Sequence, residues 1–325
     1  MEQMKSKSAQ MVLAAIQARG MKVWVVSRRF NLLQVQRGDD SWLIKGTSFP
    51  VNSQPACLVA NNKFLTKKML RFYDIPTPRS WLARTPQEAL RVMTRKRMFP
   101  CVLKPARGAH GKKVYVNIES EAEFREMLVH VFAGKSGQDI LIEEYVAGKD
   151  YRVLVVGGEV AAVMERIPAH VIGNGQDTIR ALIAAFNNSP LVGKKYEKPL
   201  CKIQINGEVK RNLKKQGRLF GDIPTDGDWV YLRQNANIST GGTGRDVTDN
   251  VDQAVKQVAV AAAKAVGMEI TGVDVIFDEV HKKAYVLELN DCPGIDIHHY
   301  PVMGQGRDVA GEIVDYLFSS RPGCG

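Results

Sequence analysis

Two apolar segments of this chain carry charge where a core strand normally carries none. Gly272-Val273-Asp274-Val275-Ile276 and Val286-Leu287-Glu288-Leu289-Asn290 read as strands joined by a charged turn. A carboxylate inside such a strand is costly to bury unless it is paired or bound to a cation. Glu288 and Asn290, at i and i+2, project from one strand face. Asp274 stands in the other strand of the expected hairpin. Two carboxylates and an amide oxygen suit Mg²⁺, which takes a few protein oxygens and completes its shell with water and phosphate. Mn²⁺ can substitute.

Around this hairpin, strand and helix signals alternate, which places the chain in the α/β or α+β class. Gln10–Arg19 predicts a helix closed by Gly20, and Lys22–Ser27 a strand. Asn62–Tyr73 predicts a second helix, stopped by Ile75-Pro76-Thr77-Pro78. Thr85-Pro86-Gln87-Glu88 and Ser120-Glu121-Ala122-Glu123 are helix-start signatures. Cys101–Lys104, Lys113–Val116 and Ile140–Tyr145 read as strands. Tyr151–Val156 and Glu159–Arg166 flank Gly157-Gly158 as a β-hairpin. Val251–Val266 and Asp308–Phe318 read as helices. Gly193–Gly221, rich in lysine and weakly periodic, reads as a mobile loop closing over a site.

Composition narrows the function. The chain has 325 residues, 45% hydrophobic and 24% charged, enough for two or three packed subdomains. No apolar run approaches the roughly 20 residues of a membrane helix, and the basic start is no signal peptide. Five cysteines (Cys57, Cys101, Cys201, Cys292, Cys324) stand apart with no CxxC pair. That argues against a zinc site and fits a reducing cytoplasm. The net charge of +11 favours anionic ligands. Its basic clusters lack interleaved aromatics, so nucleic acid is not an expected partner.

Three further constellations bear on anions. Lys104, followed by Arg107-Gly108-Ala109-His110-Gly111-Lys112, offers a cation and backbone N–H groups to phosphate, though it equally fits a plain hairpin turn. It is not a Walker A sequence. Lys67 sharpens the phosphate reading, or is simply an exposed helix lysine. Glu143-Glu144-Tyr145-Val146 can present backbone groups to an adenine edge, with Asp150 accepting from ribose hydroxyls; it also fits an exposed acidic strand end. Asn235–Gly244, with Asn237, Ser239, Thr240 and Gly241, has small hydroxyls and N–H groups suited to an anion cradle. Arg166 and Arg233 nearby can clamp a carboxylate or phosphoryl group. His298 and His299 are either bases or structural, and Cys292 is best read as a small packed residue.

Taken in order, these segments resemble the ATP-grasp superfamily, and within it the ligase module of cyanophycin synthetases and bifunctional glutathione synthetases. The resemblance rests on Asn62–Lys67 with Ile75–Pro78, Phe99–Pro105, Glu143–Arg152, Arg166–Gly175 (RIPAHVIGNG) and Glu197–Leu200. It continues through Tyr231–Thr243 (YLRQNANISTGGT), Asp246–Asp249 and Glu288–His298 (ELNDCPGIDIH). It covers about residues 55 to 318. It implies an α+β ATP-grasp fold with a small N-terminal domain (1–60), a first subdomain (61–144) and a second (145–325), ATP lying between the last two. It implies ATP phosphates on Lys67, Lys104, Gly108 and Gly111, adenine on Glu143, Glu144, Tyr145 and Val146, and ribose on Asp150. Magnesium would lie on Asp274, Glu288 and Asn290. Arg166, Arg233, Asn237, Ser239, Thr240 and Gly241 would line the acyl-phosphate and substrate site.

The implied activity is ATP-dependent ligation of a carboxylate to an amine, on an amino acid or short peptide, by a cytoplasmic homodimer or higher homo-oligomer. Relatives of this kind carry the module fused to a second catalytic domain, and the residues before about 55 and after 318 are too few for one. The expectation is therefore one amide bond from a stand-alone ligase, with an anionic carboxylate donor. A kinase without ligation and a non-catalytic nucleotide-binding protein are the rival readings.

Overall fold

The computed structural model describes residues 4–108, 113–133, 139–193 and 200–319. The chain folds into two compact units, each discontinuous in sequence. One unit gathers Met1–Pro78, Val146–Glu165 and Asp246–Gly325; the other gathers Arg79–Tyr145 and Arg166–Arg245. This differs from the expected consecutive division at 60 and 144. The physical reason is strand pairing: Lys149–Val156 binds Ile270–Asp278 from far along the chain, and the helix Lys63–Phe72 shares a core with them.

The first unit is organised by an antiparallel sheet in which Glu159–Ile167, Lys149–Val156, Ile270–Asp278 and Lys283–Asn290 are successive neighbours. Side chains alternate between its faces, as the period of a strand requires. Tyr151, Val153, Val155, Val273 and Val275 pack against the helix Gln253–Val266 and the helices Gln54–Ala60 and Lys63–Phe72. Leu154, Val156, Ala162 and Ile270 pack on the opposite side against Lys7–Ala18, Val309–Ser319 and a small three-stranded sheet (Lys22–Ser27, Leu32–Arg37, Asp40–Lys45). Gln253–Val266 starts at Asp252, whose carboxylate accepts from the Ala254 N–H, and ends at Gly267 with φ +77°. Its buried stripe is mostly alanine and valine, so it lies close to the sheet.

The Gly157-Gly158 turn forms as expected, with φ of +59° and +84°. Gly157 has a second constraint: a Cβ there would stand 2.3 Å from the Tyr316 ring. We expect Gly157→Ala to lower stability by about 1–3 kcal/mol, from left-handed strain and displacement of that ring. Urea denaturation checks this, and an unchanged midpoint would contradict it.

The second unit contains a four-stranded antiparallel sheet in the order Ser80–Ala83, Ile140–Glu144, Cys101–Pro105, Tyr115–Ile118. The helices Pro86–Lys96 and Glu121–Phe132 cover it, around Ala89, Met93, Phe124, Leu128 and Val131. Both start as read from sequence: Thr85 accepts from the Glu88 N–H at 3.1 Å and Ser120 from the Glu123 N–H at 3.2 Å. A second core joins Ile179–Asn188 and Gly207–Lys215 to the strand pair His170–Ile172 and Trp229–Tyr231.

The helix Gly207–Lys215 corrects the reading of Gly193–Gly221 as one loop. Asn206 caps it by accepting from the Glu208 and Val209 N–H groups, and Val209, Asn212 and Leu213 are buried. Its apolar face is only Val209 and Leu213 among lysines, too thin a stripe to stand out by period. Residues 194–199 of that segment lie outside the described residues, as does Gly111.

Candidate functional site

In the first unit, strand register builds a charged row. Asp274 stands directly opposite Arg152 on one side and Glu288 on the other. Paired positions on adjacent strands share a face, so three charged groups from three strands lie together. The register shifts just beyond Asp274, since Val275 pairs with Val286 and leaves Leu287 extra. Bulges of this kind re-aim side chains.

Each carboxylate of the row holds a cation. Arg152 donates from Nε to Asp274 Oδ1 at 2.5 Å and from Nη2 to Oδ2 at 3.4 Å. Lys63 Nζ lies 3.0 Å from Glu288 Oε2. Asn290 donates to Gly272 O at 3.1 Å and to Asp274 Oδ1 at 3.4 Å. Gly272 leaves room here: a Cβ would sit 3.1 Å from the Arg152 guanidinium and 3.1 Å from Pro293, a tight fit that these neighbours would have to yield to. Among the described residues no three His, Cys, Asp or Glu side chains form a metal cluster. The oxygens of Asp274, Glu288 and Asn290 nonetheless fit Mg²⁺, which needs few protein ligands when phosphates and water supply the rest. That both carboxylates already hold cations is consistent with the fit.

Lys63 and Arg152 are functional candidates that the sequence does not single out; on the helix it points to Lys67. Lys63 and Lys67 are one helical turn apart, and sequence cannot rank them. Lys67 is fully buried, and its Nζ donates to Thr77 Oγ1 at 2.9 Å and Pro78 O at 3.4 Å. It ties its helix to the segment that ends it, while Lys63 faces the carboxylate row.

Of the two histidines, His299 is structural: its Nε2 accepts from the Ala310 N–H at 3.0 Å. His298 is buried, and neither ring nitrogen has a partner. Burial first, and then the charges of Arg152 and His299, push its pKa down to about 3. An imidazole so hard to protonate is a poor proton acceptor at neutral pH.

In the second unit, Lys104 and Glu143 form a buried pair at 2.9 Å. Lys104 is in register with Leu141, two residues from Glu143, so the two lie diagonally on one face. Glu144 turns instead to Arg79, which holds its carboxyl below the usual range. The Tyr145 N–H donates to Pro100 O at 3.3 Å. Gly108 has φ +126°, a conformation left to glycine. In the first unit, Asp150 pairs with Ile276 across the sheet. Val146 immediately precedes that strand's approach.

The expected anion cradle is differently built. The N–H groups of Thr240 and Gly242 donate to Asn237 O, and that of Gly241 to Ile238 O, so these donors close a tight turn. Gly241 and Gly242 allow close packing, since Cβ atoms there would stand 2.5 Å from Ile203 and 2.9 Å from Asn237 O. Arg233 is buried and paired with Glu208 of the helix Gly207–Lys215, and Asn235 donates to the same carboxylate at 3.3 Å. Arg233 Nε, Asn235 Oδ1 and Thr243 Oγ1 are buried without partners. The unspent polar capacity thus lies beside the turn. Arg166 stands half-buried on Glu159–Ile167.

Comparison with known proteins decides the family. The RimK-like ATP-grasp domain matches residues 60–195 and 204–317. The chain belongs to the RimK-like ATP-grasp family. It is 36% identical over 316 residues to the bifunctional glutathione biosynthesis protein of Clostridium perfringens, covering 95% of this chain and 40% of that protein. It is 32% identical over 319 residues to the cyanophycin synthetase of Trichormus variabilis, covering 97% and 35%. The crystal structure of the bifunctional glutathione synthetase from Pasteurella multocida superposes with a TM-score of 0.69 at 28% identity, over 97% of this chain and 43% of that one. The chain spans about two fifths of the length of the curated relatives it matches. The ATP-grasp fold is therefore the fold of this chain, as expected. No helix among the described residues is long and apolar enough to cross a membrane.

Proposed function

We propose that this ATP-grasp chain is an ATP-dependent carboxylate–amine ligase that forms an amide bond through an acyl-phosphate, on an amino acid or short peptide. The observation that carries the reading is the row Arg152–Asp274–Glu288, completed by Asn290 and Lys63, in a family whose relatives are named as synthetases. Asp274, Glu288 and Asn290 would hold Mg²⁺, with Mn²⁺ able to replace it. The bound cation would neutralise phosphate charge. Lys104, Gly108 and Gly111 would bind ATP phosphates, with Lys63 in the role first expected of Lys67. Glu143, Tyr145 and Val146 would meet adenine and Asp150 the ribose, while Glu144 fixes the strand end through Arg79. Arg166, Arg233, Asn237, Ser239, Thr240 and Gly241 would line the substrate site.

The chemistry asked of the chain is charge stabilisation and positioning. The donor carboxylate oxygen attacks the γ-phosphorus, and ADP leaves. Lys63 and Lys104 balance the phosphate charge, and Arg152 balances the acyl-phosphate. The amine then attacks the acyl carbon, phosphate leaves with the bonding pair, and the proton lost from nitrogen is taken up by the departing phosphate. No side chain has to act as nucleophile. The test is ADP release from ATP and magnesium with panels of amino acids and short peptides, with product masses read. Release that needs both an acid and an amine supports ligation. Release with acid alone, at the same rate, overturns it in favour of a kinase.

A further inference from the structure

The helix Pro86–Lys96 presents a cationic stripe that ligation does not use. Glu88, Arg91, Val92, Arg95 and Lys96 recur at i, i+3, i+4, i+7 and i+8, which is one helical face. With Trp81 and Leu82 of the strand Ser80–Ala83, that face lines an open groove of about 280 Å³. Ala89 and Met93 of the same helix turn to the core instead. Arg91, Arg95 and Lys96 have no acidic partner among the described residues. Glu88, the one acid of the stripe, accepts from the Arg84 N–H at 2.7 Å. Lys96 Nζ stands 5.3 Å from the centre of the Trp81 ring. Like charges at i, i+4, such as Arg91 and Arg95, disfavour an isolated helix.

The strand side of the groove is a sheet edge. Ser80–Ala83 pairs with Ile140–Glu144, and among the described residues no strand pairs with its other side. Such an edge offers backbone N–H and C=O groups to a further strand. Ser80 is in register with Glu143, and Trp81 with Ile142 of the core. Trp81 and the groove therefore lie on the helix-covered side of the sheet, and the Lys104–Glu143 pair on the other.

An edge strand beside a helix can receive an extended peptide. Alternate side chains of an added strand point the same way, about 6.6 Å apart. Arg91 and Arg95 are about 6 Å apart along the helix axis, a matching interval. The cations select acidic side chains at those positions. On a chain of net charge +11 they disfavour a second copy of this chain. We propose that the groove docks an extended acidic segment of a partner protein, added to Ser80–Ala83 as a further strand, with carboxylates at alternate positions facing Arg91, Arg95 and Lys96. No residue of the groove is assigned to ATP or substrate, so the proposal stands apart from ligation.

The test reads fluorescence anisotropy of labelled peptides with the full chain near physiological salt. One octapeptide alternates glutamate with threonine, a strand former. A second has the same composition, with all glutamates before all threonines. The alternating peptide should bind the more tightly. Methylating the backbone nitrogens of its glutamates, or of its threonines, blocks one or the other edge of the added strand. One of these two peptides should lose about 10-fold, as for one or two hydrogen bonds, and the other should keep its affinity. Arg91 and Arg95 are exposed, so the fold should survive their replacement. Arg91→Gln and Arg95→Gln should each weaken binding about 3-fold, and together about 10-fold, the scale of exposed ion pairs. Lys214→Gln, on the basic helix Gly207–Lys215, should change nothing. Absence of binding, equal binding of the alternating and block peptides, or equal losses in Lys214→Gln and the double variant would each overturn the proposal. So would single-stranded DNA bound as tightly as the alternating peptide, which would mark a general polyanion surface.

Discussion

Glu288→Gln should lower acid- and amine-dependent ADP release by on the order of 10²–10³-fold, the scale of losing one preorganised charge-stabilising group. The substitution keeps the shape of the side chain and removes only its charge. Glu288 is partly exposed and its partner Lys63 lies at the edge of the row, so the fold should tolerate the change. The side chains of the pair are only 13% and 24% exposed, so removing the carboxylate charge leaves Lys63 in a partly buried place and lowers stability as well. Activity should therefore fall far more than the lowered thermal midpoint explains, with the variant still folded at the assay temperature. Asp274→Asn should lose as much activity, but it also strips the largely buried Arg152 of its anion and should destabilise the fold. Turnover within a few-fold of wild type in Glu288→Gln would remove the metal assignment.

The carboxylate row was half legible in the sequence. Asp274 and Glu288 stand out because each interrupts an otherwise apolar strand. Arg152 interrupts Tyr151–Val156 in the same way and carries the same signal, yet a lone arginine in a hairpin strand is easily taken for an edge residue. Only the register Arg152–Asp274–Glu288 ties the three together, and register between strands about 120 residues apart is not written in any local pattern. Lys63 and Lys67 show the same limit at shorter range. Both lie on one helix, and what separates them is Thr77 and Pro78 closing over Lys67.

Local signals did better where the physics is local. The capping residues Thr85 and Ser120 and the Gly157-Gly158 turn are decided within four residues, and all three are present. The strands Leu32–Arg37 and Asp40–Lys45 went unread although Leu33 and Val35 alternate with polar neighbours. Their apolar faces are too short to rise above the polar surroundings. From sequence alone, the glycines of Asn235–Gly244 predict free N–H groups. They serve instead to let the turn close on itself against Ile203. The helix bearing Glu208 was missed, and with it the fact that Arg233 is braced by a carboxylate.

Lys104→Met should cost about 3–5 kcal/mol of stability, the penalty for breaking a buried ion pair from one side. The side chains of Lys104 and Glu143 are 8% and 2% exposed, on strands whose neighbours Leu103, Leu141 and Ile142 are fully buried. Removing the lysine takes from the buried glutamate the cation 2.9 Å from it, which is unfavourable for the charged form. The double variant Lys104→Met/Glu143→Leu removes both charges and should recover most of the loss, because apolar pairs of similar volume substitute well for buried ion pairs. Function should not recover with it. If Lys104 meets the nucleotide phosphates, both variants should bind ADP far more weakly than wild type, the stable double variant included. Urea midpoints give the first comparison and calorimetry the second. A double variant that regains stability and also binds ADP normally would show that the pair is only structural. A single variant as stable as wild type would show that the interior around Glu143 admits water, against the burial described above.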